Sequence, residues 1–224
     1  MAIAKDFVFF GRLCLDFAHT GDMGYGTRFE RLTSPSELQR WLSLSPLQLA
    51  TLRITAEDLE HAKMLRGAIW RVAEAILSDA VPAFADIQLI NKMACQPNLT
   101  RELDRKAKLM GWHRPTMAAA LGTIAQDAVL LFGDQLQRAR LRRCENPDCR
   151  VVFYDDSRPG LRRWCASNRC GDRIRARLYR ERRLGHLDPS TAKFEAGPAH
   201  SLMCRYRKLR SRLALFRIVP ESSA

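Results

Sequence analysis

Apolar positions recur at helical spacing over much of the first 140 residues. The clearest case is "TAEDLEHAKMLRGAIWRVAEAIL", where Leu59, Leu65, Ile69, Val72 and Ile76 return near a 3.6-residue period. Thr55 stands where an N-cap belongs and acids fill the first turn, which complements the helix dipole. "SPSELQRWL" starts a second helix, with Ser34 as cap, Pro35 at the first helical position and Glu37 three residues after the cap. "FADIQLINKMA" reads as a further helix, and "TMAAALGTIAQDAVLLFGDQLQRARLRR" as one long helix that runs up to Cys144. Short strands are expected in "FVFFGRLCLDFAHT" and after the glycine-rich turn in "GDMGYGTRFERL". "LTRELDRKAKLMGWHRP" reads as a hairpin punctuated by Gly111 and Pro115. No internal repeat is visible. The fold class is therefore α+β: a mostly helical N-terminal domain with a few short strands.

Charge divides the chain. Residues 1–137 carry 15 basic and 15 acidic groups, whereas 138–183 carry 15 arginines, no lysine and 6 acids, a net +9. Residues 184–224 add a further +4, so the whole excess of +13 lies after residue 137. Such asymmetry joins a neutral module to one that meets a polyanion. It suggests three segments: 1–137 as a regulatory or dimerisation domain, 138–185 as a small basic module, and 186–224 as a linker with a basic amphipathic helix. In that last helix Leu202, Tyr206, Leu209, Leu213 and Phe216 share one face opposite a basic one, and packing on the body is favoured over extending the nucleic-acid surface or lying on a membrane. No stretch of about 18 apolar residues occurs, so no membrane span is expected. The opening residues, with Lys5, Asp6 and a short "FVFF", lack the apolar core of a signal peptide. A cytoplasmic location follows as the expectation, in which thiols stay reduced.

That bears on seven cysteines. Cys144 and Cys149 form C-x4-C, fifteen residues follow, and Cys165 and Cys170 form a second C-x4-C. Two equal pairs at this separation suit one structural Zn2+ held by four thiolates. Two disulfides would need an oxidising compartment, while Cys14, Cys95 and Cys204 stand alone as free cysteines. Between the pairs, "VVFY", "DDSRPG" and "LRRW" read as strand, turn and returning strand, with Phe153 and Trp164 placed to shield the metal.

From Asp172 to about Arg183 the chain reads as a helix. Arg173, Arg177 and Arg180 fall on one stripe, Arg175 and Arg182 on a second, and Arg183 closes the helix. Ile174 and Leu178 line up to pack back on the hairpin. Zinc with four thiolates carries −2, and Arg150, Arg163 and Arg169 stand where they could offset it. The module remains at +7, and guanidinium favours bidentate contact with phosphate and guanine. Arg173, Arg175, Arg177, Arg180, Arg182 and Arg183 are the candidate nucleic-acid contacts. His19, His61 and His113 are scattered, no nucleophile or phosphate-loop motif is present, and no enzyme is expected.

The paired cysteines, "FYDDSRPGLRRWC" between them, and Cys170-Gly171-Asp172-Arg173 together resemble the CGNR zinc-finger family, with Asp172 where Asn is usual. "LCLDFAHT" resembles the opening motif of the alpha/beta domain that precedes the finger there, with His19 where Asn is common. The likeness covers roughly residues 8–183 and implies a bacterial DNA-binding regulator associated with stress-induced transcription. DNA is then the expected partner. A small-molecule effector or a homodimer would engage the N-terminal domain. RNA is the alternative partner, since the same arginines can serve it by shape and phosphate contact.

Overall fold

A computed structural model describes residues 7–21, 29–50, 52–103, 105–108, 110–149 and 151–184. It divides into two compact units, Met1–Ile174 and Arg175–Ala224. In order, the elements are α1 (Leu13–Ala18), α2 (Pro35–Leu44), α3 (Ala56–Leu77), α4 (Phe84–Ala94), β1 (Arg101–Leu103), β2 (Met110–Trp112), α5 (Met117–Gly133), α6 (Gln135–Arg138), β3 (Leu141–Arg143), β4 (Val152–Tyr154) and α7 (Asp172–Arg183). The expected strand in "GDMGYGTRFERL" falls largely on residues 22–28, and the 186–224 tail on residues beyond 184. Both lie outside the described residues.

The helix starts follow their capping chemistry. The Ser34 hydroxyl accepts from Glu37 N at 3.3 Å. Thr55 and Asp58 form a reciprocal capping box, with Thr55 Oγ1 accepting from Asp58 N and Asp58 Oδ2 accepting from Thr55 N. Thr116 Oγ1 accepts from Ala119 N to start α5.

Three expectations change. "LCLDFA" is helical, not extended: Cys14 to Ala18 are all buried, so the run shows no alternation of either period. The long helix expected over 116–143 breaks at Asp134, whose backbone is extended. Its carboxylate accepts from Leu136 N and Gln137 N and so caps α6 instead. The chain then leaves helical conformation, and Leu141–Arg143 becomes a strand. Finally, "VVFY" does not pair with "LRRW". β4 pairs antiparallel with β3, with Leu141 opposite Tyr154 and Arg143 opposite Val152. β1 and β2 form the hairpin expected around Gly111.

The core is built on α5, which packs on α4, α1 and α3. Its small residues let neighbours come close. At Gly122 a Cβ would sit 3.2 Å from Gln96 Cβ and 3.3 Å from Gln96 O. Phe17, Trp41, Leu65, Ile69, Ile124 and Leu131 fill the centre. Leu141 and Val152 of the β3–β4 hairpin belong to the same cluster, so the cysteine-bearing hairpin seals one side of the helical core. Arg143 donates to Glu74 of α3 at 2.6 Å, and Arg12 stacks over Tyr154 while pairing with Asp127 of α5. Arg66, buried, meets Glu30 through two hydrogen bonds of 2.7 and 2.5 Å.

Candidate metal centre and basic helix

The first cysteine pair is the loop of the β3–β4 hairpin. Cys144 leaves β3 with its N–H donating to Val151 O at 2.8 Å. Asn146 then folds the chain: its side-chain carbonyl accepts from Asp148 N, and its backbone carbonyl accepts from Cys149 N at 2.9 Å. The second pair spans a π-helical segment, Ser167–Gly171, in which Cys170 N and Gly171 N both donate to Ala166 O. Cys170 therefore stands two residues before the first residue of α7.

The four sulfurs of Cys144, Cys149, Cys165 and Cys170 all lie within 4.8 Å of one another. The Cys149–Cys165 and Cys165–Cys170 sulfur separations are 3.7 Å. A tetrahedron with metal–sulfur bonds of about 2.3 Å has edges of about 3.8 Å, so the spacing fits zinc. Three of the cysteines are buried and Cys149 is half-buried. Their protons compete. Hydrogen bonds from the Cys149 and Cys165 thiols pull Cys144 well down, and the same contacts push Cys149 and Cys165 up. One thiolate forms readily, but four at this distance require a cation among them. Zinc in such a site is structural, since four cysteine ligands leave no open position.

The surroundings hold the geometry. Phe153 is fully buried beside the cysteines, and Phe10, Val151 and Trp164 pack on the same cluster. Glu145 N donates to Arg163 O, and the Arg163 guanidinium pairs with the Glu145 carboxylate, which ties the first pair to the approach of the second. Asp155, 0% exposed, organises the "DDSRPG" turn: it accepts from Ser157 N, Ser157 Oγ and Arg162 N. Burial opposes its charge, yet these donors and the Arg142 cation hold its carboxyl below the usual range.

Many arginines of the basic module are thus committed to the fold. Arg140 donates to Asp155 O and Ser157 O, and Arg142 to Ala139 O and Gly160 O. Arg162 bridges Asp156 and Cys165 O while lying over the Phe153 ring. Of the three arginines placed to offset the metal charge, Arg163 pairs with Glu145, Arg169 is exposed, and Arg150 lies outside the described residues. Sequence spacing carried no signal for these backbone-directed roles, because an arginine that caps carbonyls looks like one that meets phosphate.

The helix α7 occupies the expected Asp172–Arg183. Arg173, Arg175, Arg177, Arg180 and Arg183 are exposed, Ile174 and Leu178 are half-buried, and the Arg182 side chain lies outside those described. Arg177 pairs with Glu181 at 2.8 Å, Arg180 donates to Ala176 O, and Arg183 stacks over Tyr179.

A helical body closed by a four-cysteine hairpin that leads into an arginine-rich helix is the architecture of a zinc-finger protein. The family model described as "Putative stress-induced transcription regulator", ABATE, matches residues 11–135, and that of the CGNR zinc finger matches 140–183. The first spans more than half of the chain, and the chain belongs to that family. No curated protein matches it. Among the described residues no helix is long and apolar enough to cross a membrane.

Proposed function

We propose that this chain is a cytoplasmic transcription regulator, and not an enzyme, that binds duplex DNA through α7 while its N-terminal domain senses a ligand or dimerises. The observation that carries the reading is the junction at Cys170: a four-sulfur cluster of zinc dimensions ends two residues before a helix rich in exposed arginine. Zinc bound there fixes the first turn of α7, so guanidinium groups on one helix face meet a phosphate backbone with little ordering cost. Arg173 makes no hydrogen bond or ion pair among the described residues, whereas Arg177 must exchange Glu181 for phosphate. Phosphate contact supplies affinity, and any base contact by the same stripe supplies specificity.

The test is binding of the zinc-loaded chain to duplex DNA and duplex RNA across a salt series, beside a variant with Arg173, Arg177 and Arg180 changed to Ala. DNA should bind more tightly than RNA, and the variant should lose about two to three units of salt slope, one per phosphate contact. Stronger RNA binding would make the chain an RNA-binding finger protein. An unchanged slope would remove α7 from the interface.

A further inference from the structure

A cavity of about 310 Å3 opens between the turn at residues 48–50 and the β1–β2 hairpin. It holds roughly ten waters or an organic ligand of similar size. It shares no lining residue with the cysteine cluster or α7. Its parts are held in place from several sides. Trp112 donates its indole N–H to Leu47 O at 2.6 Å, which joins the hairpin to the turn. Gln39 braces the turn, donating to Leu49 O at 2.6 Å and accepting from Leu52 N at 3.1 Å. Gln48 in the wall, and Arg114 next to the lining residue Pro115, are in the left-handed region, at φ 52° and 40°. Non-glycine residues keep that conformation only where their surroundings impose it.

Inside, Arg101 stands opposite Trp112 in the strand register, and its guanidinium lies 3.5 Å over the indole. Among the described residues its side chain has no ion pair and no hydrogen bond, and none of those lining the cavity is a carboxylate. The stacking uses the face of the guanidinium and leaves its edge donors unspent. Leu49, Met110 and Pro115 supply apolar wall. At the hairpin's end Leu103 and Met110 oppose each other with 67% and 62% of their surface exposed.

We infer that this cleft binds a small planar organic monocarboxylate, its carboxylate on the edge of Arg101 and its ring against Trp112, Leu49 and Pro115. One guanidinium fork matches one carboxylate in a bidentate pair, and the apolar walls disfavour a multiply charged ligand. This deepens the ligand-sensing part of the proposed regulator and rests on that reading for its biological use, while binding itself stands alone.

Isothermal titration calorimetry of the zinc-loaded full chain with benzoate, and with neutral benzamide as its isostere, tests it. Benzoate should bind saturably with Kd near or below about 1 mM. Benzamide, and benzoate with the Arg101→Gln variant, should bind at least about tenfold more weakly, the loss of a charge-assisted pair. Arg101 is exposed, and an unchanged melting temperature checks that the variant is folded. No saturable heat with benzoate, or equal binding by benzamide or by Arg101→Gln, overturns the inference. Running the DNA salt series on the same samples separates the two claims. DNA binding without benzoate binding rejects the cleft alone, and benzoate binding without DNA binding upholds the cleft while rejecting the regulator.

Discussion

Two buried groups in α1 and the turn after it pull stability in opposite directions with pH. His19 is 7% exposed, packed edge-on to Phe10 and near Trp70. Burial pushes its pKa down from 6.5 to about 4, against a smaller opposing effect of the Val152 backbone. Asp16 is 1% exposed and accepts from Phe10 N at 2.6 Å, but its second oxygen is unpartnered. Burial pushes its carboxyl up from 3.8 to about 7; the Phe10 and Gly11 N–H groups oppose this, and the Asp127 charge adds to it. The folded chain therefore disfavours protonated His19, so that contribution is complete above pH 6.5 and is lost as pH falls towards 4. It favours protonated Asp16, so that contribution is complete below pH 3.8 and is lost as pH rises through 7. At about 1.4 kcal/mol per unit, these amount to about 3 and about 4 kcal/mol, nearly cancelling between pH 4 and 6.5. His19→Gln should then gain about 3 kcal/mol relative to the native chain as pH drops from 6.5 to 4. Asp16→Asn should lose about 4 kcal/mol relative to it from pH 7 to 4. Urea unfolding of each variant beside the native chain at the same pH measures both. Taking differences from the native chain cancels the proton competition at the cysteines. Differences that do not change with pH, or that change in the same direction for both variants, would refute the reasoning.

Other perturbations read other parts of the fold. Cys165→Ser removes the sulfur that lies 3.7 Å from two others, and elemental analysis should show zinc falling from one equivalent towards zero, with a lower melting temperature. Asp134→Ala removes the cap that divides α5 from α6 and should lower the urea midpoint of unfolding. Glu30→Gln leaves the Arg66 guanidinium buried without its charge partner and should cost about 3 kcal/mol, well above the loss expected for the exposed Lys63–Glu60 pair.

What the sequence made legible has a common physical basis. α2, α3 and the Asp172–Arg183 helix each combine a polar or acidic start with a polar face, so cap and periodicity agree. The zinc cysteines were legible because ligand spacing is a covalent constraint that needs no knowledge of packing. Failures occurred where burial or local hydrogen bonding overrode pattern. α1 is buried along its length, which erases periodicity. Asp134 follows an apolar helical run and reads as part of it, yet its carboxylate serves α6. The β3–β4 pairing depends on Leu141 and Val152 reaching the helical core, a contact between the finger and the body that neither segment announces alone. The Arg101–Trp112 cleft depends on strand register, which places two residues eleven apart face to face.

The link between metal and DNA is tested most directly by measuring zinc content and duplex DNA affinity on the same sample before chelation, after chelation, and after zinc is returned. The expected result is one zinc per chain, loss of saturable DNA binding when the metal is removed, and recovery of both on adding zinc. Undiminished DNA affinity in the metal-free chain would contradict the proposal that a zinc-anchored α7 is the DNA-facing element.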